Sequence, residues 1–354
     1  MSWMKRMRIL LPALVLALGL SACGAEEPAQ AEIFAMDTVM TLTAYGKNGE
    51  QAVNETRQEI QRLDRLLDRT ESSSEISQLN ERGSASVSSE VFALIQAAVS
   101  YGSATNHAFD ITVAPVVSAW GFTTDHYQVP DQATLSALLE HVDSDQITLL
   151  AGEDGGTVTL GQDQSIDLGG IAKGYTSDRA EAIFRAAGVE SGNISLGGNV
   201  YVQGSKPDGS PWRVAVQDPQ NSSAAAVVLE LSDAYAVTSG GYQRYFDQDG
   251  KRYHHIIDPA TGSPADSGLL SVTVVASANG DTDGILTGHG TMCDAFSTAL
   301  FVMGEEKALD FWRSGQYDFD LVLVTDDGRV VITEGLADSF EQSEGSGYAY
   351  EIAH

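Results

Sequence analysis

Apolar residues recur along this chain in two different periods, and the period switches several times between its ends. Met40, Leu42 and Ala44 alternate with Val39, Thr41 and Thr43, which predicts a strand over Met36–Tyr45. Val53, Ile60, Leu63 and Leu67 share one face of a predicted helix over Gln51–Arg69, and Val91, Ile95 and Ala98 do the same over Ser89–Asn106. Pro130-Asp131 opens a short helix with Leu135, Leu138 and Leu139 inward, and Ile147–Leu150 with Thr157–Leu160 flank a Gly-rich turn as a hairpin. A third substantial helix covers Gly170–Ala187. Strands then dominate: Ile194–Gln203, Trp212–Gln217, Val227–Leu231, a hairpin on Asp249-Gly250 that ends at Ile257, and Leu269–Ala276. An apolar helix headed by Asp294 follows, then another over Glu305–Arg313 and a hairpin turning at Asp326-Asp327-Gly328. The polar residues after Gly335 show no clear period. Helices and strands fall in blocks and most strands are joined as hairpins, which predicts an α+β fold with largely antiparallel sheets. Nothing resembling a Pro/Ser linker divides residues 33–354, so they form one domain.

The first residues follow neither period. Lys5, Arg6 and Arg8 precede an apolar stretch from Ile9 to Leu20, the arrangement of a signal peptide over residues 1–22 and too short for a span of roughly 20 residues. It ends Leu20-Ser21-Ala22-Cys23, which resembles the lipobox of bacterial lipoproteins, cleaved before a Cys that then carries lipid. The expectation is a protein lipid-anchored through Cys23 at the extracytoplasmic face of the cell membrane, with residues 23–32 as a tether.

Charge narrows the partners. The chain holds 20 Lys and Arg against 49 Asp and Glu; without Lys5, Arg6 and Arg8 the balance is 17 against 49, a net charge of −32. Such a surface repels nucleic acid and anionic headgroups, so lipid rather than charge must hold the protein to a membrane. An anionic ligand would need a local island of positive charge, backbone N–H groups or a metal. Cys293 is the one Cys besides Cys23, so no internal disulfide is available and stability must come from a core. Cys293 itself reads as a buried helix residue, and Trp120 and Trp212 as core.

Three segments and one pair concentrate unusual chemistry. Asp294 and Thr298 lie four residues apart, so a carboxylate and a hydroxyl share one helix face while Ala295, Phe296, Ala299, Leu300 and Met303 are buried. A hard cation such as Mg2+ prefers such an all-oxygen corner; an ordinary helix cap is the plainer reading of the same pair. Asn106–Pro115 leads into Trp120-Gly121-Phe122. Ser165–Tyr175 puts Gly169-Gly170 before a helix, whose exposed N–H groups and positive dipole end suit a phosphate, with Lys173 adding charge. It lacks the spacing of a P-loop. Lys251–Gly262 contains His254 and His255, which would face opposite ways on a strand and so are not a shared zinc pair. No G-x-S-x-G elbow occurs, which argues against an α/β-hydrolase.

These segments, in this order, resemble the ApbE family of flavin transferases. The resemblance rests on Met36-Asp37-Thr38, Ser74–Asn80, Phe109–Pro115, Asp167–Gly174, Thr238-Ser239-Gly240, His255–Gly262 and Asp294–Leu300. It implies an enzyme that transfers the FMN moiety of FAD to a Thr or Ser hydroxyl of a target protein, releasing AMP with the help of Mg2+. FAD contacts carry over to Met36, Ala108, Phe109, Asp110, Asp167, Lys173 and Ile257. Metal ligands carry over to Gly170 through its main-chain oxygen, Asp294, Ser297 and Thr298. His255 and Asp294 are the expected catalytic residues, His255 as base for the acceptor hydroxyl or as phosphate partner. The implied targets are subunits of membrane redox complexes or other exported flavoproteins. Thr70 stands where many members have a Tyr, and Ser297 where many have an acidic residue. Asn279–Met292 is longer than usual and Gly-rich, with Asp281 and Asp283, and reads as a surface loop before a lid. Alternatives are a lipoprotein that binds or hydrolyses FAD without transferring it, and a plain solute-binding lipoprotein.

Overall fold

Alternate residues of the central strands enter two different cores. On Ala234–Gly240, Tyr235 and Val237 join one and Ala234 and Ala236 the other; on Asp320–Thr325, Leu321 and Leu323 are separated from Val322 and Val324 in the same way. A sheet covered on both faces explains why these strands read as unbroken apolar runs. The computed structural model describes residues 27–124, 126–280 and 286–354. The expected signal peptide and Cys23, the start of the tether, and Asp281 and Asp283 lie outside them.

The central sheet has nine strands, in the spatial order Ala29–Ala35, Thr38–Tyr45, Ser191–Leu196, Asn199–Gln203, Ala234–Gly240, Leu269–Ser277, Asp320–Thr325, Arg329–Thr333 and Ala349–Ala353. All neighbours pair antiparallel except the last two, which are parallel. The expected α+β class is therefore what folds. Helices Gly49–Leu67, Ser89–Ala104, Ala172–Ala186 and His289–Met303 cover one face. A smaller sheet of Trp212–Asp218, Asn221–Leu231 and Phe340–Gln342 covers part of the other. Trp120 anchors a third, small core with Val116, Phe122, Leu135 and Ile257, its indole N–H donating to the Gly262 carbonyl at 2.8 Å.

Several boundaries differ from the sequence reading. Residues 29–32, expected in the tether, are the start of an edge strand, because Ala29, Ala31, Ile33 and Ala35 alternate inward against Thr38–Tyr45. Met36 and Asp37 are not strand: both have positive φ (47° and 58°) and form the two-residue turn between these strands. Ile194–Gln203 is two strands, broken at Gly197-Gly198 where φ is again positive. Ala234–Gly240, which carries no polar alternation, is a central strand the period did not reveal. Asp294 is not at the head of its helix but inside the second turn of His289–Met303, so it does not cap that helix.

That helix is fixed on two sides. Phe296 makes edge contacts with Tyr101, Tyr317 and Phe311 at ring separations of 5.2, 4.8 and 5.2 Å. Against helix Ala172–Ala186 it crosses at two glycines. A Cβ on Gly174 would lie 2.2 Å from the Gly290 carbonyl oxygen and 2.7 Å from Asp294 Cβ. The Asp178 carboxylate, on the first helix, accepts from the backbone N–H groups of Gly290 (2.7 Å) and Thr291 (2.9 Å) at the start of the second. Gly174→Ala should therefore push the helices apart and destabilise the fold by about 1–3 kcal/mol. Chemical denaturation would measure this, and an unchanged midpoint would refute the tight crossing.

Candidate active site

The residues that the sequence singled out come from five elements, and most of them wall one cavity of about 960 Å³. Met36 enters from the turn of the first hairpin, which is tied to helix Gly49–Leu67 by the Met36 N–H donating to Asp64 Oδ1 at 2.8 Å. Ala108, Phe109 and Asp110 follow Asn106 and His107, whose positive φ values (50° and 61°) turn the chain sharply off the end of helix Ser89–Ala104. Asp167, Gly170 and Lys173 lie at the start of helix Ala172–Ala186. His255 and Ile257 follow the short hairpin Tyr245–Gln248/Lys251–His254, and Asp294 and Thr298 project from the buried helix.

One corner of this cavity is all oxygen. Asp294 is 3% exposed, and its Oδ2 accepts the Gly174 N–H at 2.8 Å, which leaves Oδ1 uncommitted to that contact. Thr298 stands one turn on. Gly170 lies beside it: a Cβ there would be in ordinary contact with Thr298 Oγ1 at 3.7 Å and 3.0 Å from the Phe109 ring. Ser239 Oγ lies 2.8 Å from Ser297 Oγ and 3.2 Å from Thr298 Oγ1. Ser297 itself is fully buried, its hydroxyl donating to the Asp294 carbonyl at 2.9 Å, and it does not line the cavity. The structure thus unites Asp294, Thr298 and Gly170 and sets Ser297 behind them. Ser239, not singled out as a ligand, takes its place beside Thr298. Among the described residues no group of three or more His, Cys, Asp and Glu could hold a metal. One carboxylate, a hydroxyl and loop oxygen make a poor zinc site, but they fit a hard cation that keeps waters and is completed by substrate phosphate.

Next to this corner lies positive potential. Lys173 Nζ sits over the Gly169 carbonyl at 3.4 Å, at the amino end of the helix. Arg69 and Arg244 also line the cavity. Arg69 Nε pairs with Asp167 Oδ2 at 2.7 Å, while Asp167 Oδ1 accepts the Gly169 N–H at 2.7 Å, so Asp167 braces the glycine loop. Arg244 Nη2 reaches Asp37 Oδ2 at 3.2 Å across the cavity mouth. Neither arginine lies in a motif, and only the tertiary structure shows that they belong here. Asp110 is the converse case. Its Oδ1 accepts from Thr112 N–H (2.8 Å) and its Oδ2 from Ser144 N–H (2.9 Å), so its carboxylate caps the Ile111–Val113 turn rather than pointing freely at a ligand. Thr70, where a Tyr is common in the resembled family, lines the cavity but bonds to Asp68 at 2.7 Å.

His254 and His255 part company, as expected. His254 Nε2 is 3.0 Å from the Ala265 carbonyl, outside the cavity lining. His255 Nδ1 is 3.1 Å from the Arg244 carbonyl. A carbonyl only accepts, so Nδ1 carries the proton and Nε2 keeps its lone pair. Burial first, then the Arg244 guanidinium and Lys173, push the His255 pKa down to about 3. The ring is therefore neutral at physiological pH, with Nε2 unprotonated. Cys293 is buried and burial raises its thiol pKa, so it is a core residue and not a nucleophile.

A family model described as the ApbE family matches residues 36–323. The FAD:protein FMN transferase of Treponema pallidum is 31% identical over 344 residues, spanning 90% of this chain and 91% of its own. That of Vibrio cholerae is 30% identical over 336 residues, spanning 91% and 96%. Among solved structures, the ApbE protein of Thermotoga maritima superposes with a TM-score of 0.76 at 31% identity, covering 90% of this chain and 97% of that one. The flavinyl transferase ApbE of Pseudomonas stutzeri, in its apo form, gives 0.72 at 26% identity, covering 91% and 96%.

Proposed function

The chain belongs to the ApbE family, and we propose that it is a Mg2+-dependent flavin transferase that moves the FMN half of FAD onto a Thr or Ser hydroxyl of a target protein and releases AMP. The observation that carries this reading is the meeting of the Asp294–Thr298–Gly170 oxygen corner with a neutral, correctly protonated His255 in one cavity. Phe109, Met36 and Ile257 supply apolar surface for a ring system, and the helix amino end with Lys173 and Arg69 attracts the diphosphate in an otherwise acidic protein. When bound, Mg2+ would neutralise charge on the diphosphate. His255 Nε2 takes the proton of the attacking hydroxyl. Asp294 and Thr298 would hold the cation, and the hydrogen bonds linking Ser239 to Thr298 and to Ser297 support that corner.

Incubation of the protein with FAD, Mg2+ and an acceptor domain should yield covalent flavin fluorescence on the acceptor with stoichiometric AMP. AMP and free FMN without labelling would instead identify an FAD hydrolase.

The N-terminal pattern supports a lipid anchor at Cys23 on the extracytoplasmic face, where the targets would be subunits of a membrane redox complex or exported flavoproteins. Among the described residues no helix is long and apolar enough to cross a membrane. Cys23→Ser should abolish lipid attachment and move the protein from the membrane fraction to the soluble one. Membrane retention by that variant would overturn the anchor.

A further inference from the structure

The glycine loop ahead of helix Ala172–Ala186 is fastened one residue at a time. Asn80 clamps the backbone of Ile166: its Nδ2 donates to the Ile166 carbonyl at 2.9 Å, and its Oδ1 accepts the Ile166 N–H at 2.7 Å. The next N–H, that of Asp167, donates to the Ile111 carbonyl at 2.8 Å. Beyond this point the hold on the loop passes to side chains. Asp167 Oδ1 accepts the Gly169 N–H and Oδ2 pairs with Arg69 Nε, both at 2.7 Å, so each carboxylate oxygen is engaged. Lys173 Nζ reaches the Gly169 carbonyl only at 3.4 Å, a long contact.

Arg69 is itself tied down. It follows the end of helix Gly49–Leu67, and its Nη2 donates to Ser118 Oγ at 3.0 Å on helix Ala114–Trp120. That hydroxyl donates in turn to the Ala114 carbonyl at 3.0 Å. One guanidinium therefore joins the first helix, the short helix that follows Phe109 and Asp110, and the glycine loop. Its planar fork holds two partners at fixed angles, which a lysine ammonium does not do. The two side chains of the ion pair are 15% and 24% exposed, so solvent screens it less than an open surface pair.

Resting on the transferase reading above, we infer that Arg69 is a positioning residue: through Asp167 it sets the Gly169-Gly170 loop so that loop oxygen joins Asp294 and Thr298 around the cation. Its Nε and Nη2 serve protein groups, so its effect on the site passes through Asp167 and the loop. Arg69 also offsets the charge of Asp167. Without it, that carboxylate would stand uncompensated in a cavity that must admit a diphosphate, and brace and charge balance would be lost together. Neither residue needs to touch the cation for this. Loss of a group that orients a metal ligand weakens metal binding by about 10–100-fold.

The test is a double-mutant cycle on the full enzyme, read by Mg2+ titration in the presence of FAD, so it needs no acceptor. Arg69→Met and Asp167→Asn should each weaken Mg2+ binding about tenfold or more, and the double variant should lose no more than about threefold beyond the worse single. Arg69→Lys should recover part of the loss, since an ammonium keeps the charge for Asp167 without the fork that also reaches Ser118. Thermal melts verify folding. Should Arg69→Met melt early, Arg69→Lys takes its place in the cycle, with about a threefold loss expected that vanishes on the Asp167→Asn background. Wild-type Mg2+ affinity in folded Arg69→Met would overturn the inference. So would single losses that multiply in the double variant, because Arg69 would then act on FAD or the cation independently of Asp167. Labelling of an acceptor is followed separately: AMP and free FMN without labelling would overturn the transferase reading and leave the cycle to decide on Arg69. Wild type that binds no Mg2+ would overturn both.

Discussion

Replacing Asp294 with Asn should lower flavin transfer by at least about 10³-fold, because the carboxylate of the oxygen corner loses its charge while the substrate's phosphates keep theirs. The side chain keeps its size and an oxygen that can accept the Gly174 N–H, so the thermal midpoint should hardly move. Asp294→Ala separates the two effects. It removes the same charge and also strands a buried N–H, at a cost of about 1–3 kcal/mol. A further readout does not depend on turnover: titration of wild-type protein with Mg2+ in the presence of FAD should give a binding isotherm that Asp294→Asn lacks. An Asn variant that transfers flavin at the wild-type rate would mean that the corner does not hold the metal.

Loss of the base should have the second largest effect. His255→Ala is expected to reduce the transfer rate by about 10²–10⁴-fold, the usual contribution of a positioned proton acceptor, with partial rescue by added imidazole. The pH profile tests the assignment independently. With its pKa pushed down to about 3, His255 remains neutral over the whole range from pH 5 to 8, so its titration should produce no acid limb near 6.5. A limb with that midpoint, absent from the His255 variant, would show that the ring titrates as an ordinary exposed histidine. Stability carries the matching sign. Between about 6.5 and about 3 the unfolded chain binds a proton at this site that the folded chain does not. The His255 contribution is therefore complete above the unfolded pKa and is lost as pH falls below it. His255→Gln should flatten the acid side of the stability curve in that window.

The local code settled much of this protein without help from the fold. The period-3.6 stripes of Gly49–Leu67, Ser89–Ala104 and Glu305–Arg313 define helices because each buries one face against a sheet whatever lies beyond it. The hairpins at Asp249-Gly250 and Asp326-Asp327-Gly328 follow from turn chemistry. The pairing of Asp294 with Thr298 and the glycines ahead of helix Ala172–Ala186 were equally readable, since each depends on spacing within or beside one element, whereas His255 parts from His254 because the strand ends at His254. The tertiary structure decided what depends on elements far apart. Ala234–Gly240 has no polar alternation because sheets and helices cover both its faces, so only the assembled layers identify it. Arg69 and Arg244 became cavity residues, Asp110 a cap and Ser297 a buried support, because hydrogen-bond partners dozens of residues away claimed or freed their polar atoms. Burial likewise set the protonation of His255, and that property belongs to the packed neighbourhood rather than to the residue. Sequence determined which groups were on hand; long-range packing determined which of them face the cavity, because side-chain direction and desolvation are fixed only when distant elements meet.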